Sequence, residues 1–402
     1  MEWEEKNICQ LCDTISETYK DKSDEVVLIN TSDVFDGKCL NHKHVPNKKL
    51  KGQFKKTFQK GDILYSEIRP ANKRFCYVDF EPKNYIASTK LMVLRSNEDV
   101  DSQYLYQILR SNKTLIQLQE LAESRSGTFP QITYSELSNI IVSVPSINAQ
   151  KNIVDLLSSL DRKIELNNRV NAALEEMAQA IFKNWFVDFE PFKDGKFKDS
   201  ELGRIPEGWE VGKIEDLFEF QNGFAFSSKD FSESGEHKII TIKSVQDGNL
   251  ISEGSSKITE YPVRMPTYCK LQNGDILLSL MGNVGRSCLV TEKNLLLNQR
   301  VAKIKAKECY DHSFAYALFR LKETKELLIS ISRGTAQANL SPIEASKLPM
   351  VIPSEYSRKK FSIFSDSIMD KIISIQIENR ALSHLRDTLL PRLMSGEIEI
   401  PE

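Results

Sequence analysis

No run of about 18 apolar residues occurs in this chain of 402 residues, which excludes an ordinary transmembrane helix. The opening MEWEEKNIC is polar and acidic. A secretory leader needs a basic start and an apolar core, so none is expected and the chain reads as cytoplasmic. The seven cysteines are scattered and odd in number, which suits reduced thiols rather than a disulfide framework. No Gly-x-x-x-x-Gly-Lys-Ser/Thr loop is present, which argues against nucleotide hydrolysis. Nor is there a strand-borne Gly-x-Gly-x-x-Gly, an Asn-Pro-Pro-Tyr-like amino-methylating tetrapeptide or a Gly-x-Ser-x-Gly elbow. Cys9 and Cys12 have metal or redox spacing but no second pair follows, and His42 and His44 complete a four-ligand set only on paper. No catalytic and no metal-ligating residue is assigned. A net charge of −2 excludes a wholly basic DNA-coating protein.

What is present is a repeat. Ile-Pro-Glu-Gly-Trp-Glu at 205–210 aligns with Met-Glu-Trp-Glu at the start, Trp3 on Trp209. Gly61-Asp62-Ile63-Leu64 recurs as Gly274-Asp275-Ile276-Leu277, and Ser126-Gly127-Thr128 as Arg333-Gly334-Thr335. Val-Pro-Ser at 144–146 recurs as Ile-Pro-Ser at 352–354. In each copy, short apolar runs (EVVLINTSDV, KGDILYSEI; EHKIITIKSV, NGDILLSLM) read as strands. One amphipathic stretch per copy (SQYLYQILRSNKTLIQLQEL; SFAYALFRLKETKELLISI) reads as a helix. The fold class is α/β, with two equivalent domains at 1–147 and 207–354.

A long helix follows each Pro-Ser, expected over 148–188 and 355–395. The first carries a row spaced alternately three and four: Leu157, Leu160, Ile164, Asn167, Asn171, Leu174, Ala178, Ile181 and Trp185. The second repeats the row as Ser365, Ile368, Ile372, Ile375, Asn379, Leu382, Arg386, Leu389 and Leu393. A 3.5-residue repeat over four heptads is a coiled-coil seam. Two helices in one register, each following its own domain, should pair antiparallel as a rod of roughly 50 Å. The equivalent Asn171 and Asn379 are polar seam residues of the kind that fix register. Ordinary core helices of one large domain are the alternative. Trp185 and Phe186 read either as partner surface or as core. Residues 189–206, charged and broken by Pro and Gly, read as a linker, and 396–402 as a tail.

Polar reach concentrates in two loops per copy. From Lys43 to Arg74 there are ten Lys/Arg against Asp62 and Glu67, a patch suited to phosphates, with Lys55 and Lys56 in it. After the first GDIL strand come Arg69, Lys73 and Arg74; after the second, Asn283 and Arg286. Near the close of each domain come Arg125, Ser126, Thr128 and Gln131, and Arg333, Thr335, Gln337 and Asn339. Arg grips guanine through O6 and N7, Gln or Asn grips adenine through N6 and N7, and Ser and Thr suit phosphates. The alternative is ordinary surface turns. The loops differ between copies while the frame is kept, as two readers of different half-sites require.

These elements together resemble the specificity subunit of type I restriction–modification systems. The resemblance rests on IPEGWE, the GDIL strands, the Gly-Thr loops and the Pro-Ser helix entries, with AIFKNWFVDFEP at 180–191 and LLPRLMSGEIEI at 389–400. It covers essentially the whole chain. It implies two pseudo-symmetric target recognition domains on an antiparallel coiled coil, each reading one half of a bipartite DNA target. It also implies docking of two methyltransferase and two motor-nuclease subunits. S-adenosylmethionine would sit on the former, ATP and Mg on the latter, and none on this non-catalytic chain. Two departures stand out. The first copy lacks the Ile-Pro-Glu-Gly lead-in, and its Gly-Thr loop is one residue shorter before Pro-Ser, so loop conformations should differ. Against this reading stand a coiled-coil adaptor without a DNA role, and a self-sufficient methyltransferase or nuclease.

Overall fold

The repeated Gly-Asp-Ile-Leu is a turn followed by a strand. In the computed structural model, which describes residues 3–21, 23–48, 52–124, 130–334 and 338–400, Gly61 and Gly274 take φ of +90° and +89°. That is a left-handed conformation that glycine adopts without a Cβ penalty. The following aspartate closes the turn: Asp62 and Asp275 accept the main-chain N–H of Gln59 and Gln272, each at 2.8 Å. Asp62 is buried and also takes both Arg95 donors at 2.8 Å, while Lys303 lies 3.4 Å from Asp275. The strands Ile63–Ser66 and Ile276–Ser279 are then buried along their whole length, as central strands are.

Both domains have one topology. In the first, Ile63–Ser66 lies between Leu91–Ser96 and Phe75–Tyr77, and Cys12–Ile15 is the outer partner of Leu91–Ser96. In the second, Ile276–Ser279 lies between Val301–Ala306 and Ser287–Leu289, with Phe218–Asn222 outermost. Each domain adds a second four-stranded sheet with one parallel pair, Tyr85–Ser88 on Glu25–Ile29 and Leu295–Leu297 on His237–Ile240. A two-stranded ribbon closes each: Glu4–Asn7 pairs with Ile141–Val144, and Glu210–Lys213 with Pro349–Ile352.

The stretch expected as one helix in each copy is two. Ser102–Arg110 and Asn112–Glu123 break at Ser111, which turns extended and caps the second helix by accepting the Thr114 N–H. His312–Arg320 and Lys322–Ser330 break at an extended Leu321. The Ser111 cap in the first copy and the burial of Leu321 in the second outweigh the continuous apolar periodicity that hid each break. The expected linker also has structure: Phe197–Ser200 and Gly203–Pro206 form a hairpin.

The long helices are Ile147–Phe186 and Glu355–Met394, 40 residues each. The chain forms two compact units, Met1–Lys163 with Leu382–Glu402, and Ile164–Ala381. In the first, Ile153, Leu157, Leu390 and Leu393 enter the domain core, and Arg386 holds Asp161 at 2.8 Å. In the second, Asn167 donates to Asn379 at 2.9 Å, and Phe182 packs on Phe361 at 5.8 Å. Advancing along one helix there means retreating along the other, so the pair is antiparallel. All nine seam positions on each helix are buried or half-buried. Trp185 and Phe186 are core: both pack on Phe361, and Phe186 also packs on Trp209.

Candidate nucleic-acid interface

In each domain the two polar loops meet. Residues 66–74 are tied to the chain after 129 by an Ile68–Gln131 bridge, an Arg69 N–H to Pro130 O bond of 3.1 Å and an Ile132 N–H to Glu67 O bond of 2.8 Å. The second domain repeats all three. Met281 bridges Asn339, Gly282 donates to Ala338 O at 3.0 Å, and Leu340 donates to Leu280 O at 2.8 Å. One backbone clamp therefore presents two different sets of side chains.

In the first domain, Lys55 is exposed on the short strand Phe54–Lys56. Lys56 departs from the expectation of a free cation. Its ammonium is half-buried and donates to Leu91 O at 2.8 Å, and burial, aided by nearby Lys90, lowers its pKa against the pull of Glu67. Arg69 and Lys73 are exposed at the two ends of the Pro70–Asn72 turn, whose Ala71 N–H is held by Gln119 at 3.0 Å. Arg74 is half-buried: it donates to Ser32 O and Val34 O and lies over the Phe35 ring at 5.2 Å, so it anchors a hairpin. Gln131 accepts from Lys90 at 3.4 Å. Arg125, Ser126 and Thr128 lie outside the described residues.

In the second domain, Asn283 is exposed and Arg286 donates to Gln246. Arg333 and Asn339 exchange main-chain bonds of 2.9 and 2.8 Å, and the exposed Arg333 guanidinium pairs with Glu344. Thr335 and Gln337 lie outside the described residues.

Sequence reasoning passed over a third element. The strands Val34–Phe35 and Lys38–Cys39 flank Asp36-Gly37, and a Val245–Leu250 bridge flanks Asp247-Gly248. Asp-Gly between apolar residues is a hairpin signal, present twice at matching places. The first hairpin is bonded to the loop, the Asp36 main-chain N–H donating to Lys73 O at 2.8 Å. The second carries Asp247, which receives Lys325 at 2.6 Å. His42 is committed to Tyr85 and Cys39 O, and among the described residues no three His, Cys, Asp or Glu side chains gather as a metal site.

Two like domains, each entering one helix of an antiparallel pair and each clamping a variable polar loop, define a duplicated recognition scaffold. A model of the type I restriction modification DNA specificity domain matches the chain twice, over residues 1–176 and 206–383. The HindI specificity subunit of Haemophilus influenzae is similar at 32% identity, covering 99% of this chain and all of that one. The MjaIX specificity subunit of Methanocaldococcus jannaschii is 27% identical, covering 90% and 83%. The crystal structure of a type I S subunit from M. genitalium shares the fold, with a TM-score of 0.55 at 16% identity over 98% of this chain and 96% of that one. The chain belongs to the type I restriction–modification DNA-specificity family. It is a non-catalytic DNA-recognition subunit with two target recognition domains. Among the described residues, no helix is long and apolar enough to cross a membrane.

Proposed function

We propose that each domain reads one half of a bipartite, asymmetric DNA target in the cytoplasm, using the clamped loops as its reading surface. The observation that carries this is the paired clamp: three equivalent backbone links in each domain, with Arg69, Lys73 and Gln131 presented in one and Asn283, Arg333 and Asn339 in the other. An invariant frame with unlike side chains suits two half-sites of unlike sequence. Lys55, with the other exposed lysines of the first domain, supplies phosphate attraction that is blind to sequence. The antiparallel helices space the two readers and set the unread gap. They also seat two methyltransferase subunits, with two motor-nuclease subunits joining for restriction and phage defence. S-adenosylmethionine, ATP and Mg belong to those partners. The target base is flipped into a methyltransferase pocket, at a few kcal/mol of lost stacking.

Co-expression with the cognate methyltransferase in a host lacking adenine methylation tests this, read out by sequencing modified bases. One gapped, asymmetric motif that depends on this chain is expected. No chain-dependent motif beside a methyltransferase shown to be active would overturn it.

A further inference from the structure

The clamp bonds align the two reading loops from either end, the first loop being one residue longer between the matched ends. Ser66 donates to Arg74 O and Ser279 to Arg286 O, each at 2.8 Å, which sets Arg74 against Arg286 and the residue before each, Lys73, against Gly285. The bonds to Pro130 O and Ala338 O set Arg69 against Gly282. All four residues are left-handed, with φ of +46° at Arg69, +52° at Lys73, +71° at Gly282 and +80° at Gly285. At one pair of backbone positions, the second domain has the residue the conformation favours and the first has two long cationic side chains.

An L side chain in this conformation costs free energy, and at Arg69 the following Pro70 restricts the backbone further. The backbone clamp itself does not require these side chains, because the second domain closes the same clamp with glycine. Both are exposed, so apolar burial does not repay the strain. Strain retained at a loop tip, in one of two equivalent places, marks what the side chains reach. Arginine and lysine divide the work by their chemistry. A guanidinium forks onto O6 and N7 of guanine, and an ammonium meets a phosphate as a point charge.

We infer that Arg69 reads a guanine in the first half-site, that Lys73 holds the adjacent DNA phosphate, and that the glycine pair makes the second domain read instead through Asn283 and close backbone approach. This rests on the DNA-reading function proposed above and assigns its chemistry to each half. The first domain gains a cation-dependent contact that the second lacks, so the two half-sites differ in salt sensitivity as well as in sequence.

The test uses the full chain assembled with its methyltransferase, comparing wild type with Arg69→Gly and Lys73→Gly. Glycine relieves the strained backbone, so the melting temperature should hold or rise in both variants, separating a reading role from a structural one. Arg69→Gly should make one guanine of the first half-site degenerate in the methylation motif, leave the second half intact, and weaken binding to the cognate duplex by roughly 5- to 150-fold. Lys73→Gly should keep the motif, weaken cognate and non-cognate binding alike, and lower the salt slope by about one. An unchanged motif and affinity in Arg69→Gly, beside a wild type that confers an asymmetric motif, would overturn this inference alone. A lower melting temperature in Arg69→Gly would overturn it too, by making Arg69 structural. A wild type that confers no motif would bring down the DNA-reading function and this inference with it.

Discussion

At one equivalent place the two domains solve the same packing problem with opposite chemistry. The main-chain N–H of Val27 donates to Asn84 O, and that of Lys238 to Asn294 O, each at 2.9 Å, which sets those strands in common register. Two residues beyond the matched Val78 and Val290 stand Phe80 and Glu292. In the first domain Phe80, Tyr85 and His42 pack as a ring cluster at 5.1 to 5.9 Å. In the second, Glu292 receives Lys238 and Ser252 and lies 3.2 Å from Arg380 on the long helix. The helix entry shows the same divergence. Gln150 holds Asp101 N–H at 2.8 Å and Pro145 O at 3.0 Å; its counterpart Arg358 reaches Pro353 O at 3.2 Å and pairs with buried Asp311. The backbone frame is common property of the two copies. At these two places the second domain uses ion pairs where the first uses rings and neutral bonds, and it is the side chains on the frame that set each domain's sensitivities.

The largest expected effect lies at the helix entry. Arg358→Leu strands the Asp311 carboxylate, whose second oxygen already has no partner and whose pKa burial pushes up against the pull of Arg358. Removing one partner of a buried pair costs about 3–5 kcal/mol. Gln150→Leu in the first domain removes only neutral bonds, at about 1–3 kcal/mol. Hydrogen exchange resolved on the two units checks this, and equal losses would break the comparison.

Next comes acid. Burial alone would raise the Glu292 pKa, but the hydrogen bonds from Lys238 and Ser252 and the charges of Lys238 and Arg380 outweigh it, and the net shift is downward. A depressed folded pKa gives stability that is present above the ordinary value of 4.5 and lost as pH falls through the folded value. The contacts around Glu292 should therefore loosen below about pH 4.5. Glu292→Gln should cost about 1–2 kcal/mol at neutral pH and remove that acid sensitivity. Amide exchange across pH 3–7 follows both domains at once, and an acid response surviving in the variant would contradict the assignment.

The smallest effect separates the two equivalent asparagines. Asn379 donates to Asn168 at 2.9 Å and accepts from Asn167, whereas Asn171 leaves a buried carbonyl oxygen unpaired. Asn171→Leu should gain about 1–2 kcal/mol by removing an unsatisfied group, while Asn379→Leu should lose about as much by creating others. Thermal unfolding of both variants checks the opposite signs.

What was legible in the sequence was local chemistry repeated. Gly61-Asp62 and Gly274-Asp275 announce a left-handed turn closed by a carboxylate, and the heptad row announces a buried seam. The helix breaks at Ser111 and Leu321 were hidden because the apolar periodicity runs through them. The inward turn of Lys56 depends on Leu91, 35 residues away, and the Ile68–Gln131 bridge joins loops 63 residues apart, neither of which any local pattern encodes. The Asp36-Gly37 and Asp247-Gly248 hairpins were legible but unread.

The central claim is that one frame carries two independent readers. A chain in which residues 207–354 replace residues 1–147, assembled with the methyltransferase, tests it by sequencing of the modified bases. The account predicts a motif whose halves are both the second half-site of the parent. A first half retained despite the replacement would contradict it, because the reading would then lie outside the domains.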